Sequence, residues 1–350
     1  MRWFEPLLFP FSFIYDTVTR FRNHLFDIGH KNSINFDIPT IVVGNLSLGG
    51  TGKTPFTEFL IRMLADDFKV ATLSRGYGRK TSGFVLADEG SDANQIGDEP
   101  FQIYEKFKNK ISVAVGEDRV MAIPQIITER PDTEVILLDD AFQHRYVKGD
   151  INIMLTTFQK PFFEDNVVPL GTLREARKGA SRAEIIIVTK CPNPIDTGTK
   201  ESYINEIKRY NKKAKIFFVG LKYGLLQNVL GDRQSVPSNF VLVSGIANDQ
   251  LFRKEAEKKH QISYHFSFSD HHHYKSDHIK EIVSKCKEVK ESGILTTEKD
   301  AVKLKASIFR DYLAEIPIFA MPVEINMEIK DADFIKESIL QVIKEKGYSE

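Results

Sequence analysis

Trp3, Phe4, Leu7, Leu8, Phe11, Ile14, Tyr15, Val18, Phe21 and Leu25 recur at three- and four-residue steps, which predicts a helix with one apolar face. Phe9 and Phe13 widen that face beyond the stripe a core-facing helix uses. The apolar run from Pro6 to Tyr15, interrupted by Ser12, is about half of the roughly 20 residues a bilayer span requires. As a signal peptide it also fails, because prolines break the apolar region and no small-residue cleavage site follows before Arg20 and Arg22. Two readings stand: a helix packed on its own domain, or a helix lying in the plane of a membrane surface with aromatics at the acyl boundary.

Beyond residue 30 the pattern changes to short β-branched runs that alternate with longer helical periods. Ile38–Val43, Lys69–Leu73, Ile111–Val115, Val135–Leu138, Ile151–Leu155 and Ile185–Val188 are the first series of predicted strands. Such alternation predicts an α/β fold, a mostly parallel sheet flanked by helices. A second series follows at Lys215–Val219, Val241–Val243, Ile262–Phe266, Ile294–Thr296 and Ile318–Met321, most of it expected in a smaller α/β lobe. The polar stretch Tyr223–Asn239, with Gly231 and Pro237, marks the boundary. The expected parts are therefore the amphipathic helix at residues 1–30, a nucleotide-binding domain at 31–225 and a smaller domain at 226–350 that closes a cleft.

The first long strand runs into Gly44-Asn45-Leu46-Ser47-Leu48-Gly49-Gly50-Thr51-Gly52-Lys53-Thr54-Pro55, the layout of a phosphate-binding loop. Backbone N–H groups of Ser47, Gly49, Gly50, Thr51 and Gly52 can curl around phosphate oxygens. Lys53 reaches the β- and γ-phosphates, and the Thr54 hydroxyl can hold Mg²⁺ at a helix N-terminus. Ser47 replaces the usual first glycine, while Pro55 suits a first helical turn. A loop of this kind also needs acids at a strand end for the metal, and Asp139 and Asp140 supply them.

Ser74-Arg75-Gly76-Tyr77-Gly78-Arg79-Lys80 follows the second strand, at the end where open α/β sheets bind ligands. Arg75, Tyr77 and Arg79 could hold an anionic sugar there. Gly97-Asp98-Glu99-Pro100, Gly116-Glu117-Asp118-Arg119 and Leu173-Arg174-Glu175 are further charged clusters on predicted loops, each ordinary surface if taken singly. Val188-Thr189-Lys190-Cys191-Pro192 is similar to the base-reading loop of GTPases, but Pro192 stands where a carboxylate would accept from guanine, so ATP is the expected nucleotide. In Asp270-His271-His272-His273-Tyr274 neighbouring side chains diverge, which favours one histidine working with a carboxylate over a metal site.

Composition narrows the field. Lys plus Arg and Asp plus Glu number 48 each in 350 residues, so no net field collects nucleic acid. Cys191 and Cys286 form neither a disulfide framework nor a zinc spacing, which fits a reducing compartment.

Taken in order, Gly44–Pro55, Leu73–Arg79, Gly97–Pro100, Gly116–Arg119, Leu138–Arg145, Ser244–Ala247, Asp270–Tyr274 and Thr296–Val302 resemble the motifs of the tetraacyldisaccharide 4'-kinase family, the lipid A 4'-kinases of Gram-negative bacteria. The resemblance spans nearly the whole chain. One stretch departs, since Leu170 in Pro169–Glu175 takes a position where the family often has a small residue. The resemblance implies ATP with Mg²⁺ as cofactors and an acylated glucosamine disaccharide 1-phosphate as the lipid partner, phosphorylated on its 4'-hydroxyl. It further implies Asp98 as catalytic base assisted by His271, Arg119 and Arg174 beside Arg75, Tyr77 and Arg79 at the substrate, and a monomer bound peripherally to the cytoplasmic face of the inner membrane. A GTPase or metallochaperone-like ATPase and a membrane-bound nucleotide switch are the rival classes; the absence of a Cys-x-Cys or Cys-x-x-Cys pair counts against the former.

Overall fold

The computed structural model describes residues 5–231 and 235–348. Its strands are β1 (Thr40–Asn45), β2 (Val70–Ser74), β3 (Val85–Leu86), β4 (Ser112–Val115), β5 (Val135–Asp139), β6 (Ile151–Thr157), β7 (Ile185–Thr189), β8 (Lys215–Phe218), β9 (Gly220–Tyr223), β10 (Gln227–Asn228), β11 (Asn239–Ser244), β12 (Gln261–Ser267), β13 (Ser292–Thr296), β14 (Ile318–Ala320) and β15 (Val323–Asn326). The helices are α1 (Glu5–Asp27), α2 (Lys53–Leu64), α3 (Ala93–Ile96), α4 (Asp98–Phe107), α5 (Arg119–Glu129), α6 (Thr197–Lys208), α7 (Gln250–Lys259), α8 (Ser276–Glu288), α9 (Glu298–Leu304), α10 (Arg310–Leu313) and α11 (Ile329–Glu345).

Eight strands form the first sheet in the order β3-β4-β2-β5-β1-β6-β7-β8, parallel except for the β3 edge. All six residues of central β1 are buried, and its side chains divide between two cores. Ile41 and Val43 pack with Phe56, Leu60 and Leu64 of α2 on one face, while Val42 packs with Leu73, Leu138 and Ile126 on the other. A sheet covered on both faces is what near-continuous β-branched strands require.

The second sheet runs β10-β14-β13-β11-β12 with a parallel centre, and α7 and α8 cover its faces through Phe252 and Ala256 and through Ile279 and Ile282. Each expected strand is present. Sequence pattern misses β3, β9, β10 and β15, which have two to four residues; β9, β10 and β15 carry no apolar run, and the run around β3, Phe84–Ala87, is short.

The C-terminal end departs from the expected division at 226–350. Antiparallel β15 pairs with β9, and Ile335, Ile339 and Ile343 of α11 enter the α2-side core of the first sheet. Lys346 fixes the end of the chain there, donating to the Phe36 carbonyl at 2.6 Å and Asp150 at 2.7 Å. The second lobe is thus an insertion between β9 and β15. Helix periodicity shows that α11 has an apolar face but cannot say which lobe receives it.

Helix α1 is held by a polar edge. Ser12 donates to the Val167 carbonyl, Tyr15 to the Arg174 carbonyl and Asn23 to Glu175, while Phe26 at its end is buried against Tyr146 and Arg145. Leu7, Phe9, Phe11, Phe13, Ile14, Val18 and Phe21 remain 60–66% exposed. Trp3 and Phe4 of the expected stripe lie outside the described residues. No helix among the described residues is long and apolar enough to cross a membrane.

Candidate active site

A cavity of about 370 Å³ opens between the lobes. Its floor is the loop from Leu48 to Pro55, which turns β1 into α2. Gly49 and Gly52 take positive φ of 96° and 85°, where a side chain would be strained. Asn45 donates to the Thr51 hydroxyl at 2.7 Å, and the Thr189 hydroxyl donates to the Thr51 carbonyl at 2.7 Å, so two strand ends grip the loop. Ser47 sits under the loop rather than in the cavity, bridged to Leu173, while the Leu48 N–H donates to the Thr172 carbonyl.

Asp139 closes β5 fully buried, and the Thr57 hydroxyl donates to it at 3.1 Å. Burial, with the Glu99 charge added and Lys53 opposing, pushes its carboxyl up to about 7. Asp140, with φ of 48°, turns toward the cavity and takes both Lys53 at 3.5 Å and Arg174 at 2.9 Å. Burial there is outweighed by these two cations, which hold its carboxyl below the usual range.

The predicted sugar-binding residues separate. Arg75 and Tyr77 are exposed on the loop after β2, and Tyr77, like Arg174, lines the cavity. Arg79 folds back onto Glu117 with its side chain 3% exposed. Arg119 is buried and donates to the Gly116 and Glu117 carbonyls, with burial driving its pKa down to about 10. Neither Arg79 nor Arg119 lines the cavity.

Asp98 begins α4 behind Gly97, whose φ of 94° and 2.9 Å clearance from the Tyr77 carbonyl leave no room for a side chain. His271, also left-handed at φ 54°, reaches down from the second lobe. Its Nδ1 lies 3.5 Å from Asp98 Oδ2, longer than a good hydrogen bond, and its ring packs on Tyr77 at 4.8 Å. The other histidines turn elsewhere: His272 stacks on Phe268 and meets His278 at 3.0 Å, and His273 is exposed.

Two lysines of α9 complete the group. Lys303 Nζ is 3.0 Å from Asp98, and Lys299 Nζ lies 3.1 Å from Glu99, 3.2 Å from Asp270 and 3.1 Å from His271 Nε2. Because a lysine ammonium only donates, Lys299 selects the tautomer with the proton on Nδ1, aimed at Asp98. Burial raises the Asp98 carboxyl, but His271, Lys303 and Lys299 together outweigh it and hold it below the ordinary aspartate value.

The tetraacyldisaccharide-1-P 4'-kinase family matches residues 4–344. The chain belongs to the tetraacyldisaccharide 4'-kinase family. It is 40% identical over 347 residues to the tetraacyldisaccharide 4'-kinase of Flavobacterium johnsoniae, covering 97% of this chain and 99% of that one. With the enzyme of that name from Bacteroides fragilis it shares 40% identity over 356 residues, covering 97% and 93%. Among solved structures it resembles LpxK from Aquifex aeolicus, crystallised in complex with ATP, with a TM-score of 0.75, 29% identity and coverage of 97% and 99%.

In this member of the tetraacyldisaccharide 4'-kinase family, Thr296–Val302 acquires a physical role that the sequence motif alone leaves undefined. Thr297 caps α9 through the Asp300 N–H, and buried Asp300 accepts the Gly245 N–H at 2.8 Å. Glu298 meets Lys106 of α4 at 2.6 Å, and Lys106 also meets fully buried Glu58 of α2 at 2.6 Å. The motif and Lys303, the residue just after it on α9, therefore present Glu298, Lys299 and Lys303 across the lobe boundary to the helices that carry Lys53 and Asp98. Its signal in the sequence is the four-residue step from Lys299 to Lys303, which puts both on one helix face.

Proposed function

We propose that this cleft transfers the γ-phosphate of ATP to the 4'-hydroxyl of a tetraacyl glucosamine disaccharide 1-phosphate in lipid A synthesis, with Asp98 as the base. The observation that carries this reading is the Asp98 group: a largely buried carboxylate, kept ionised by three neighbours from the opposite lobe, of which His271 and Lys299 line the same cavity as the phosphate-binding loop, as does Glu99 next to it in the chain. The acceptor hydroxyl is a weak nucleophile, and its proton passes to the Asp98 carboxylate as the oxygen attacks phosphorus. The His271 Nδ1–H orients that carboxylate. Its 3.5 Å separation leaves room to tighten when substrate draws the lobes together. Lys53 neutralises charge on the transferring phosphoryl oxygens, and Tyr77 and Arg174, which line the cavity, with exposed Arg75 on the same loop as Tyr77, meet the sugar and its 1-phosphate.

Thr54 and Asp139 fit Mg²⁺. Both offer oxygen, and the Asp139 charge is suppressed first by burial and then by the charges of Glu99 and Asp140, a cost that a divalent cation beside it would relieve. Bound there, Mg²⁺ would neutralise charge on the β- and γ-phosphate oxygens. Asp140 already serves Lys53 and Arg174, which favours a role in orienting those cations.

The reaction takes place at a membrane surface. A helix tied down by polar contacts while its aromatics point outward has the form of an in-plane anchor, here peripheral to the cytoplasmic face of the inner membrane. Arg174, whose carbonyl receives the Tyr15 hydroxyl, connects that anchor to the cleft.

The test is Asp98→Asn, which keeps the shape but cannot take a proton. Turnover should fall on the order of 10²–10⁴ with ATP affinity and melting temperature unchanged. Unchanged turnover, or a loss accounted for by weaker ATP binding, removes Asp98 as the base.

A further inference from the structure

Lys190 has no place in the chemistry above, yet it lies in the cleft. It follows β7 with a left-handed φ of 57°, and the residue before it, Thr189, is bonded to the Thr51 carbonyl of the phosphate-binding loop. That attachment fixes where the lysine goes: its Nζ lies 3.8 Å from the point a Cβ on Gly50 would occupy, and Ala247 of the second lobe comes within 3.6 Å of the same point. Lys190 lines the cavity with the glycines of the loop and, away from them, shares with Leu221, Tyr223 and Leu251 the wall of the adjoining pocket, so it stands where the loop side meets an apolar side. Among the described residues, no carboxylate lies within ion-pair distance of it and no acceptor is hydrogen-bonded to it. Burial accordingly drives its pKa down, opposed only by the charge of Asp270.

A mostly buried ammonium without a partner is costly, and the cost is recovered when a ligand supplies the acceptor. We propose that Lys190 is a nucleotide-recognition residue that binds the segment joining phosphates to base, the ribose oxygens and the α-phosphate of ATP. Two features place it there. The loop glycines beside it take phosphate, and the apolar side away from them suits a purine ring, so a cation between them meets the oxygens in the middle of the molecule. The proposal rests on the ATP reading of the cleft and adds to it a contact that does not discriminate adenine from guanine, consistent with Pro192 standing where a guanine-reading carboxylate would be.

Titration calorimetry of the full chain with ADP and with inorganic tripolyphosphate, on wild type, Lys190→Met, Lys190→Gln and Lys190→Arg, tests this, with nucleotide-free melting measured beside it. Both neutral variants should bind ADP about 10- to 100-fold more weakly, the worth of a charge-assisted hydrogen bond, with Arg retaining part of the affinity. Tripolyphosphate, which offers a phosphate at the α position but no ribose, should lose less affinity than ADP does in the neutral variants. The neutral variants should melt no lower than wild type without nucleotide, since they shed an unpaired buried charge. Wild-type ADP affinity retained in the neutral variants, an equal loss toward tripolyphosphate, or a lowered nucleotide-free melting temperature in both overturns the assignment. A wild type that fails to bind ADP would instead remove the ATP reading itself.

Discussion

His271 lies against Asp98 on one side and Lys299 on the other, so its removal leaves the proposed base in place but unaligned. His271→Ala should cost less turnover than Asp98→Asn, and the double variant should be little worse than Asp98→Asn alone, because the two act as a unit. Additive losses in steady-state turnover would show that they act separately. Asp139 gives a pH signature. Its folded carboxyl titrates at about 7 against an ordinary value of 3.8, so folding favours the protonated form. That contribution is complete below the lower value and is lost as pH rises through the higher one. The metal-free Asp139→Asn variant should therefore unfold at higher urea than wild type at pH 8, by at most on the order of 4 kcal/mol, and the gap should close toward pH 4. Equal midpoints at pH 8 would show that the carboxylate is relieved without metal. The fixed spacing of the loop predicts from the sequence that Lys53 and Thr54 share a site, and both line the cavity; Asp139 is marked only as the acid that ends a strand, which it does. Lys303 and Lys190 carry no such mark, since each gains its role only when a distant segment, the Asp98 loop or Gly50, is folded against it.

Helices α2, α4 and α9 meet at Lys106, placed between Glu58 and Glu298 at 2.6 Å from each, with Gln102 and Arg62 also donating to Glu58. Glu58 is wholly buried, and burial together with Glu298 raises its pKa. Lys106→Met strands two carboxylates in a low-dielectric site and should destabilise by about 3–5 kcal/mol, measured as a shift in urea midpoint. A change within about 0.5 kcal/mol, the range of ordinary surface substitutions, would mean that the cluster is solvated and holds nothing. Helix α1 is read correctly as amphipathic from its three- and four-residue steps. The periodicity leaves open what the apolar side meets, and the fold answers by turning the polar edge, Ser12, Tyr15 and Asn23, to the protein. Phe11→Glu, Ile14→Glu and Val18→Glu combined keep that edge and the buried Phe26. The triple variant should lose co-sedimentation with anionic vesicles while retaining its melting temperature. Co-sedimentation equal to wild type would assign lipid contact to another surface.

At the scale of the whole molecule, the chain leaves the first lobe at β9, builds the second, and returns at β15 to seat α11 against the first sheet. The α/β class and each of the longer strands follow from hydrophobic period; the return does not, because pairing between Gly220–Tyr223 and Val323–Asn326 joins segments about a hundred residues apart with no local signature. This topology puts the phosphate-binding loop in one lobe and lets the other bring His271, Lys299 and Lys303 to Asp98 and Glu99. The fate of the γ-phosphate is the most direct test of phosphoryl transfer to the lipid. With the full chain, γ-labelled ATP, Mg²⁺ and a tetraacyl glucosamine disaccharide 1-phosphate in mixed micelles, label should appear on the 4'-position of the lipid, one ADP formed per phosphate transferred. Label released as inorganic phosphate, at a rate that the lipid does not change, would contradict it.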